Sequence, residues 1–345
     1  MTPTTALVFL SVLFPVKGWF SPNQAWNVTV RPPEKTAVRL VLTDFSGSTI
    51  DAVPGNERDF DKEGTADLKH CFPAITTGGC YLLYAVPHAP GPEGDNKENV
   101  STFVGTPLVI TVREDHRAGA PDGPMAVKVE PLRFAIVSTD AGDMTLGFYY
   151  DAAPNNISNF VTLAREGFYE GLTFHRIEPE FVVQGGDPRG DGTGGPGYNV
   201  DAEFSDHKHR RGVVSMARNV DPNEAPNSPP RPEYANSAGS QFFITLTRKN
   251  GAQLDGVYTV IGRVVGDASL ATLDKLAATP LADAKAGKPA KAPVIRNVEI
   301  RAVSQRENPY AVLQAESTEK EGEEGDDDVN LPAVPAPAGA PPATK

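Results

Sequence analysis

The segment Gly171 to Pro188, GLTFHRIEPEFVVQGGDP, sets Arg176 and Gln184 on either side of an apolar run, with no serine, cysteine or carboxylate pair placed to make them a hydrolase. A guanidinium stays charged at all working pH values and offers donors in a fixed fork. Beside greasy side chains that exclude water, it stabilises charge or a lone pair without moving a proton. Other chemistries are set aside on the same residues. GDGTGGPG (190–197) looks like a phosphate loop, but no Lys-Ser/Thr follows it and no helix start is indicated, so it is not read as a nucleotide site. The only basic cluster, HKHRR from His207 to Arg211, reads as a solvated loop, and His207 and His209 lack a third metal ligand at a recognisable spacing. The RGD at 189–191 is read as a chance tripeptide. His175 points away from Arg176 by strand alternation and reads as structural.

These residues need strands to hold them. Arg176 and Gln184 flank the turn EPE, so in a hairpin their side chains meet and the amide orients the guanidinium. Phe181, Val182, Phe243 and Leu254 would supply an apolar floor. RFAIVSTDAGDMTLGFYYD (133–151) reads as two strands joined at DAGD. In PNNISNFVTLAREGFYEG, Ile157, Phe160, Val161 and Ala164 recur at helical spacing, with an Asn as N-cap and Gly167 as stop. DASLATLDKLAA (267–278) reads as a second helix, capped by Asp267, with Leu270, Leu273 and Leu276 inward. Upstream, WNVTV (26–30), AVRLVLTDF (37–45), CYLLYAV (80–86) and PLVITV (107–112) read as short strands of a small β-sandwich, an accessory domain whose partner is not legible.

At 345 residues the chain exceeds one ordinary domain, and 32 prolines and 32 glycines favour turns and short strands. Of the net charge of −12, the run Glu316 to Asp328 holds eight acids and Lys320, which makes −7 and leaves −5 elsewhere. Such a balance argues against nucleic acid as a partner. The apolar run Ala6 to Val16 is too short to span a bilayer, and no stable membrane span is expected. It reads either as a signal-peptide core, making the protein exported (periplasmic or extracytoplasmic), or as the first buried strand of a cytoplasmic protein. Cys71 and Cys80 flank FPAITTGG and would close a disulfide across a hairpin in an oxidising compartment. The expected organisation is a signal or leading strand (1–25), a β-sandwich-like domain (26–115), a linker (116–129), a second domain (130–305) and a disordered acidic, Pro/Ala-rich tail (306–345).

Seven motifs then follow one another over about 90 residues: FHRI (174–177), FVVQGGDP (181–188), GTGGPGY (192–198), EFS (203–205), GVVSMA (212–217), NSAGSQFFI (236–244) and LDGVYTVIGRVV (254–265). In this order they resemble the cyclophilin family of peptidyl-prolyl cis/trans isomerases, in a bacterial-like variant, and with APVIRNVEI (292–300) the resemblance spans roughly Glu130 to Val303. It implies a mainly β fold: a closed antiparallel eight-stranded barrel with two capping helices, preceded here by the sandwich. It also implies isomerisation of X-Pro bonds in proline-containing polypeptide substrates, assisting folding, with no cofactor and no metal. By the same resemblance Arg176 is the catalytic arginine, with Phe181 and Gln184 beside it. Val182, Ala217, Gln241, Phe243, Leu254 and Tyr258 line the substrate pocket, and the backbone at Arg218 binds the substrate chain.

Elementary chemistry agrees with that implication. Rotation about an amide costs about 18–20 kcal/mol because resonance is lost, and no covalent bond is made or cut. A fixed guanidinium can donate to the nitrogen as it becomes pyramidal or hold the carbonyl oxygen. The competing reading is a non-catalytic module or scaffold that grips Pro-containing segments, because several pocket positions depart from the best-known pattern. Val182 stands where methionine is usual, Arg218 for asparagine, Gln253 for tryptophan and Tyr258 for histidine. Gln253 undermines the site associated with cyclosporin, so weak cyclosporin binding is expected. The loop from Arg218 to Ser240 is longer than the family's usual one and either narrows substrate choice or decorates the rim of the groove.

Overall fold

The computed structural model of the chain describes residues 12–53, 59–76, 78–88, 100–114, 124–224 and 228–320. Two compact units emerge: Met1–Leu132 together with Ala302–Gln314, and a second built on Arg133–Arg301.

In the first unit a larger sheet runs in the order Trp19–Phe20, Pro124–Pro131, Leu108–Glu114, Gly79–Pro87, Val38–Asp44, Thr49–Ile50, with Asp59–Phe60 also paired to Val38–Asp44. A smaller sheet joins Leu13–Pro15, Asn27–Val30 and Gly64–Asp67. Trp26, Val28 and Val30 meet Leu40, Leu42, Leu83 and Ile110 in one core, which makes this unit sandwich-like. Of the leading apolar run, Val12 and Leu13 are buried and Leu13 pairs with Val30; Ala6 to Ser11 lie outside the described residues.

Three expectations are corrected here. The linker placed at 116–129 ends as a strand: Pro124–Pro131 pairs along Leu108–Glu114, with Val127 opposite Val112 and Val129 opposite Ile110. Its alternating Val127 and Val129, both buried, are the period-two signal that the preceding Gly- and Pro-rich stretch obscured. The first part of the segment placed as a disordered tail, 306–345, is ordered instead. The helix Pro309–Lys320 buries Tyr310 and Leu313, Tyr310 meets Phe45 edge to face at 5.9 Å, and Gln314 Nε2 donates to Phe45 O at 3.4 Å; residues 321–345 lie outside the described residues. Cys71 and Cys80 form no disulfide; both are buried thiols. Cys71 joins the shared core with Tyr81, Leu83 and Ala85, so strand alternation sends the side chain of Cys80 to the opposite face of the sheet, out of bonding reach.

The second unit is an eight-stranded sheet in the order Arg176–Glu178, Val182–Gly185, Phe242–Thr245, Val213–Met216, Val260–Val265, Gly142–Phe148, Arg133–Thr139, Ile295–Ala302. It curls as a half-barrel, and no ladder among the described residues completes the expected closure. Its ends are tied by the isolated Thr173–Val294 bridge and by single bonds such as Phe174 N to Pro293 O at 2.9 Å.

The helices Pro154–Arg165 and Asp267–Ala277 form as expected, but their caps differ. Pro154 takes the first helical position after Ala153, and no Asn caps the end. Instead the Glu203 carboxylate accepts from Asn155 N at 3.0 Å and Asn156 N at 2.9 Å, a distant anion placed on the helix N-terminus. Gly266, at φ 84°, caps the other helix, and Asp267 becomes its first residue. Leu273 and Leu276 are buried there, while Leu270 is half-buried.

Candidate functional site

The hairpin forms as its turn length predicts. Arg176 lies directly opposite Gln184, and Glu180 adopts the left-handed conformation, φ 62°, that the tight turn requires. The carbonyl of Glu180 is held in place by Thr247 Oγ1 at 2.7 Å and Asn250 Nδ2 at 3.0 Å.

From Arg176 a chain of side-chain hydrogen bonds runs inward. Arg176 Nη1 donates to Gln184 Oε1 at 3.0 Å, Gln184 Nε2 donates to Gln241 Oε1 at 3.0 Å, and Gln241 Nε2 donates to the carbonyls of Gly192 (3.0 Å) and Gly194 (2.8 Å). The two backbone carbonyls fix every amide in the series. Gln241 must turn its nitrogen to them and its oxygen to Gln184, which leaves the oxygen of Gln184 for the guanidinium. Glu178, two residues along the same strand and therefore on the same face, takes Arg176 Nη2 as an ion pair. Sequence reading missed it, although the i, i+2 spacing is visible. The Arg176 side chain is 12% exposed, so its charge is partly shielded yet reachable.

Next to this relay, Phe181, Val182, Phe243, Leu254, Val257 and Tyr258 form one apolar cluster with Ala217 packed against it. Phe243 and Tyr258 meet edge to face at 5.3 Å. Every side chain proposed for the apolar floor is in this group, and Val257 is an addition. A cavity of about 480 Å³ adjoins it, lined by Gln184, Gln241, Ala217, Arg218, Tyr198 and the Gly192–Gly197 loop. The predicted residues thus divide between an apolar hollow and a more polar cavity, with Ala217 common to both. The backbone of Arg218 borders the cavity, but its side chain is buried.

The glycine-rich loop is organised by its own chain. Asp187 accepts from the backbone nitrogens of Arg189 (2.7 Å), Asp191 (3.1 Å) and Gly192 (2.5 Å), occupying donors that a phosphate would need.

HKHRR is not the solvated loop that its composition suggests. His209 is fully buried: its Nδ1 lies 3.1 Å from Asp255 Oδ1, its Nε2 lies 2.8 Å from Ser215 Oγ, and its ring stacks on Phe243 at 6.0 Å. A Ser-His-Asp series is therefore present, but Ser215 has no exposed surface, so these side chains support Phe243 from behind and offer no nucleophile. Burial holds His209 below the usual histidine range against the opposing pull of Asp255. Burial pushes Asp255 up, but hydrogen bonds from His209 and the Arg248 charge outweigh it and keep the carboxyl low. His207, by contrast, stacks on Tyr149 at 4.2 Å, and nothing in the sequence separates the two histidines. His175 is largely enclosed, and burial lowers its pKa, in keeping with a neutral structural ring.

The family model for cyclophilin type peptidyl-prolyl cis-trans isomerase/CLD matches residues 134–300, inside the second unit. A peptidyl-prolyl cis-trans isomerase from Synechococcus elongatus is 42% identical over 142 residues, covering 41% of this chain and 87% of the relative. Peptidyl-prolyl cis-trans isomerase B of Bacillus subtilis is 42% identical over 127 residues, or 36% of this chain and 78% of the relative. Among solved structures, a Cryptosporidium parvum cyclophilin type peptidyl-prolyl cis-trans isomerase, crystallised in the presence of the dipeptide ala-pro, is 31% identical with a TM-score of 0.41, covering 49% of this chain and 99% of that one.

Proposed function

The chain belongs to the cyclophilin-type peptidyl-prolyl cis-trans isomerases, and on that premise we propose how its second unit turns an X-Pro bond. The pyrrolidine ring of a polypeptide substrate enters the hollow of Phe181, Val182, Phe243, Leu254 and Tyr258, while the chain on either side runs past Ala217 and the backbone of Arg218. Arg176 then faces the prolyl amide. As the bond twists, its nitrogen becomes pyramidal and basic, and the guanidinium donates to it or holds the carbonyl oxygen. Gln184 and Gln241 keep the guanidinium aimed before substrate arrives, so little reorganisation is left for the slow step. Each tenfold in rate corresponds to about 1.36 kcal/mol, and a 10⁵-fold acceleration needs roughly 7 kcal/mol. One charge-assisted contact, exclusion of water and orientation together reach that range. No proton is transferred, so the step asks for no nucleophile or general base at Arg176, and Glu178 serves there as the counter-ion of the guanidinium.

The observation that carries this reading is the Arg176–Gln184–Gln241 series beside the apolar cluster. A protease-coupled assay on an X-Pro peptide tests it. Arg176→Ala is expected to lower kcat/KM by about 10²–10³-fold. If wild-type protein and the variant both match the uncatalysed rate, the chain is a proline-peptide binder. Gln253, whose Nε2 is tied to Asn250 O at 3.2 Å, occupies the position where tryptophan is usual, so cyclosporin should inhibit weakly with activity retained. Nanomolar inhibition would contradict this.

A further inference from the structure

The loop beyond Arg218 reaches the hollow through one side chain. The Arg218 guanidinium lies over the Tyr258 ring, 4.4 Å from its centroid, on a side chain only 2% exposed. It donates through Nε to Val257 O at 2.9 Å, through Nη1 to Asn219 O at 3.0 Å and through Nη2 to Glu224 Oε1 at 2.6 Å. Three separate pieces of chain thereby meet at one cation: the end of the Val213–Met216 strand, the turn carrying Val257 and Tyr258, and the first arm of the long loop.

That arm is itself fixed. Asp221 accepts from Arg231 Nε at 2.9 Å, Arg231 Nη2 at 2.7 Å and Asn223 N at 2.9 Å, and the Arg231 hydrogen bonds hold its carboxyl far below the usual range. Asn219 N donates to Ser237 Oγ at 2.8 Å. Both ties cross from one arm of the loop to the other, so the stretch presenting Glu224 is anchored at its base.

Tyr258 needs this support. A buried tyrosine is normally fixed by a hydrogen bond from its hydroxyl. Tyr258 Oη is buried with no hydrogen-bond partner among the described residues. Its ring is held by its surroundings alone: Phe243 edge-on at 5.3 Å, and Arg218 over the ring face. The buried guanidinium, in turn, would be costly without an anion, and Glu224 supplies it.

We propose that Arg218 is a positioning residue for the isomerase reaction. The long loop, through Glu224, locks Arg218 onto Tyr258 and so sets the shape of the hollow that takes the prolyl ring. This rests on the reading that the hollow binds proline, and it gives the loop a role in substrate binding, not in the chemical step. Loosening the latch leaves Arg176 and its relay untouched, so KM should change more than kcat.

The test is NMR exchange and titration of an Ala-Pro peptide with the full chain, measuring isomerisation kcat and KM and peptide Kd for wild type, Arg218→Ala, Arg218→Lys, Glu224→Gln and Arg176→Ala. Arg218→Ala should raise KM and Kd about tenfold with kcat within about twofold of wild type. Arg218→Lys should not restore them, because an ammonium lacks the planar fork. Glu224→Gln should shift them the same way but less. A purely structural role would lower apparent kcat through loss of folded protein and leave KM unchanged, and that pattern would overturn the proposal. Should Arg218→Ala fail to fold, wild-type KM in Glu224→Gln would overturn it equally. A wild-type rate in Arg176→Ala would instead remove the catalytic reading, while the Kd values would still decide the latch.

Discussion

The two units are both antiparallel β structures, but they bury different chemistry. In the first, the buried polar side chains among the described residues are hydroxyls: Thr43, Thr106, Thr111 and Ser304. In the second, Gln184, Asp187, His209, Arg218 and Asp221 are buried as well, and hydrogen bonds to them gather around the hollow and its bordering loops. A hydroxyl is cheaply accommodated, whereas a buried amide, imidazole or guanidinium is costly unless nearly every donor and acceptor is matched. The first unit consequently buries no charged side chain among the described residues, and Trp26 lies fully buried in its core. The second sacrifices some apolar packing to hold one guanidinium in a chosen direction. Fold class alone would not distinguish them; the identity of what each buries does.

The largest effects should come from truncating the two cores. Phe243→Ala is expected to destabilise the second unit by about 3–5 kcal/mol and to abolish ring binding, because Phe243 is fully buried between Tyr258 and His209. Trp26→Ala should cost a similar amount in the first unit and leave kcat/KM unchanged. Chemical denaturation followed alongside activity checks both. Parallel loss of activity in Trp26→Ala would break the contrast between the units.

A smaller effect is expected from acid. His209 and His175 both have folded pKa values below the ordinary 6.5, so the unfolded chain binds more protons just below that pH, and Asp255, also lowered, acts in the same direction at lower pH. The histidine contribution is fully present above about pH 6.5 and is lost as pH falls below it. The Tm of the second unit should drop by a few degrees between pH 7 and pH 5. His209→Gln should flatten part of that slope, and an unchanged slope in the variant would assign the effect elsewhere.

The smallest effect concerns the first unit. With Cys71 packed on one face of the sheet and the side chain of Cys80 on the other, reductant should leave its melting temperature unchanged, and both thiols should react only after unfolding. A reductant-induced drop in Tm would show a disulfide.

What could be read from the sequence follows the range of the interactions. Arg176 and Gln184 meet across a three-residue turn, so their pairing was legible from spacing. The hollow draws Phe181, Phe243, Leu254 and Tyr258 from segments far apart in the chain, and it was legible only because the ordered motifs resemble a known family. Val257 lay inside one of those motifs but carried no signal of its own. The burial of His209 depends on Asp255 and Ser215, neither of which is near it in a way that periodicity reports. The helix cap from Glu203 is similarly nonlocal: a local rule assigned the cap to an Asn, and a carboxylate about 50 residues away filled the position instead. Pro124–Pro131 and Pro309–Gln314 are masked in the sequence by flanks rich in Gly, Pro or acid, although each carries alternating or spaced apolar residues that the first unit buries.

The most direct test of where isomerisation occurs is a crystal structure of the full chain with an Ala-Pro peptide. The expected result is the prolyl ring against Phe243 and Leu254, with an Arg176 Nη atom within about 2.7–3.2 Å of the carbonyl oxygen or poised over the amide nitrogen. A peptide bound away from Arg176, or an Arg176 side chain turned into bulk solvent in the complex, would contradict it.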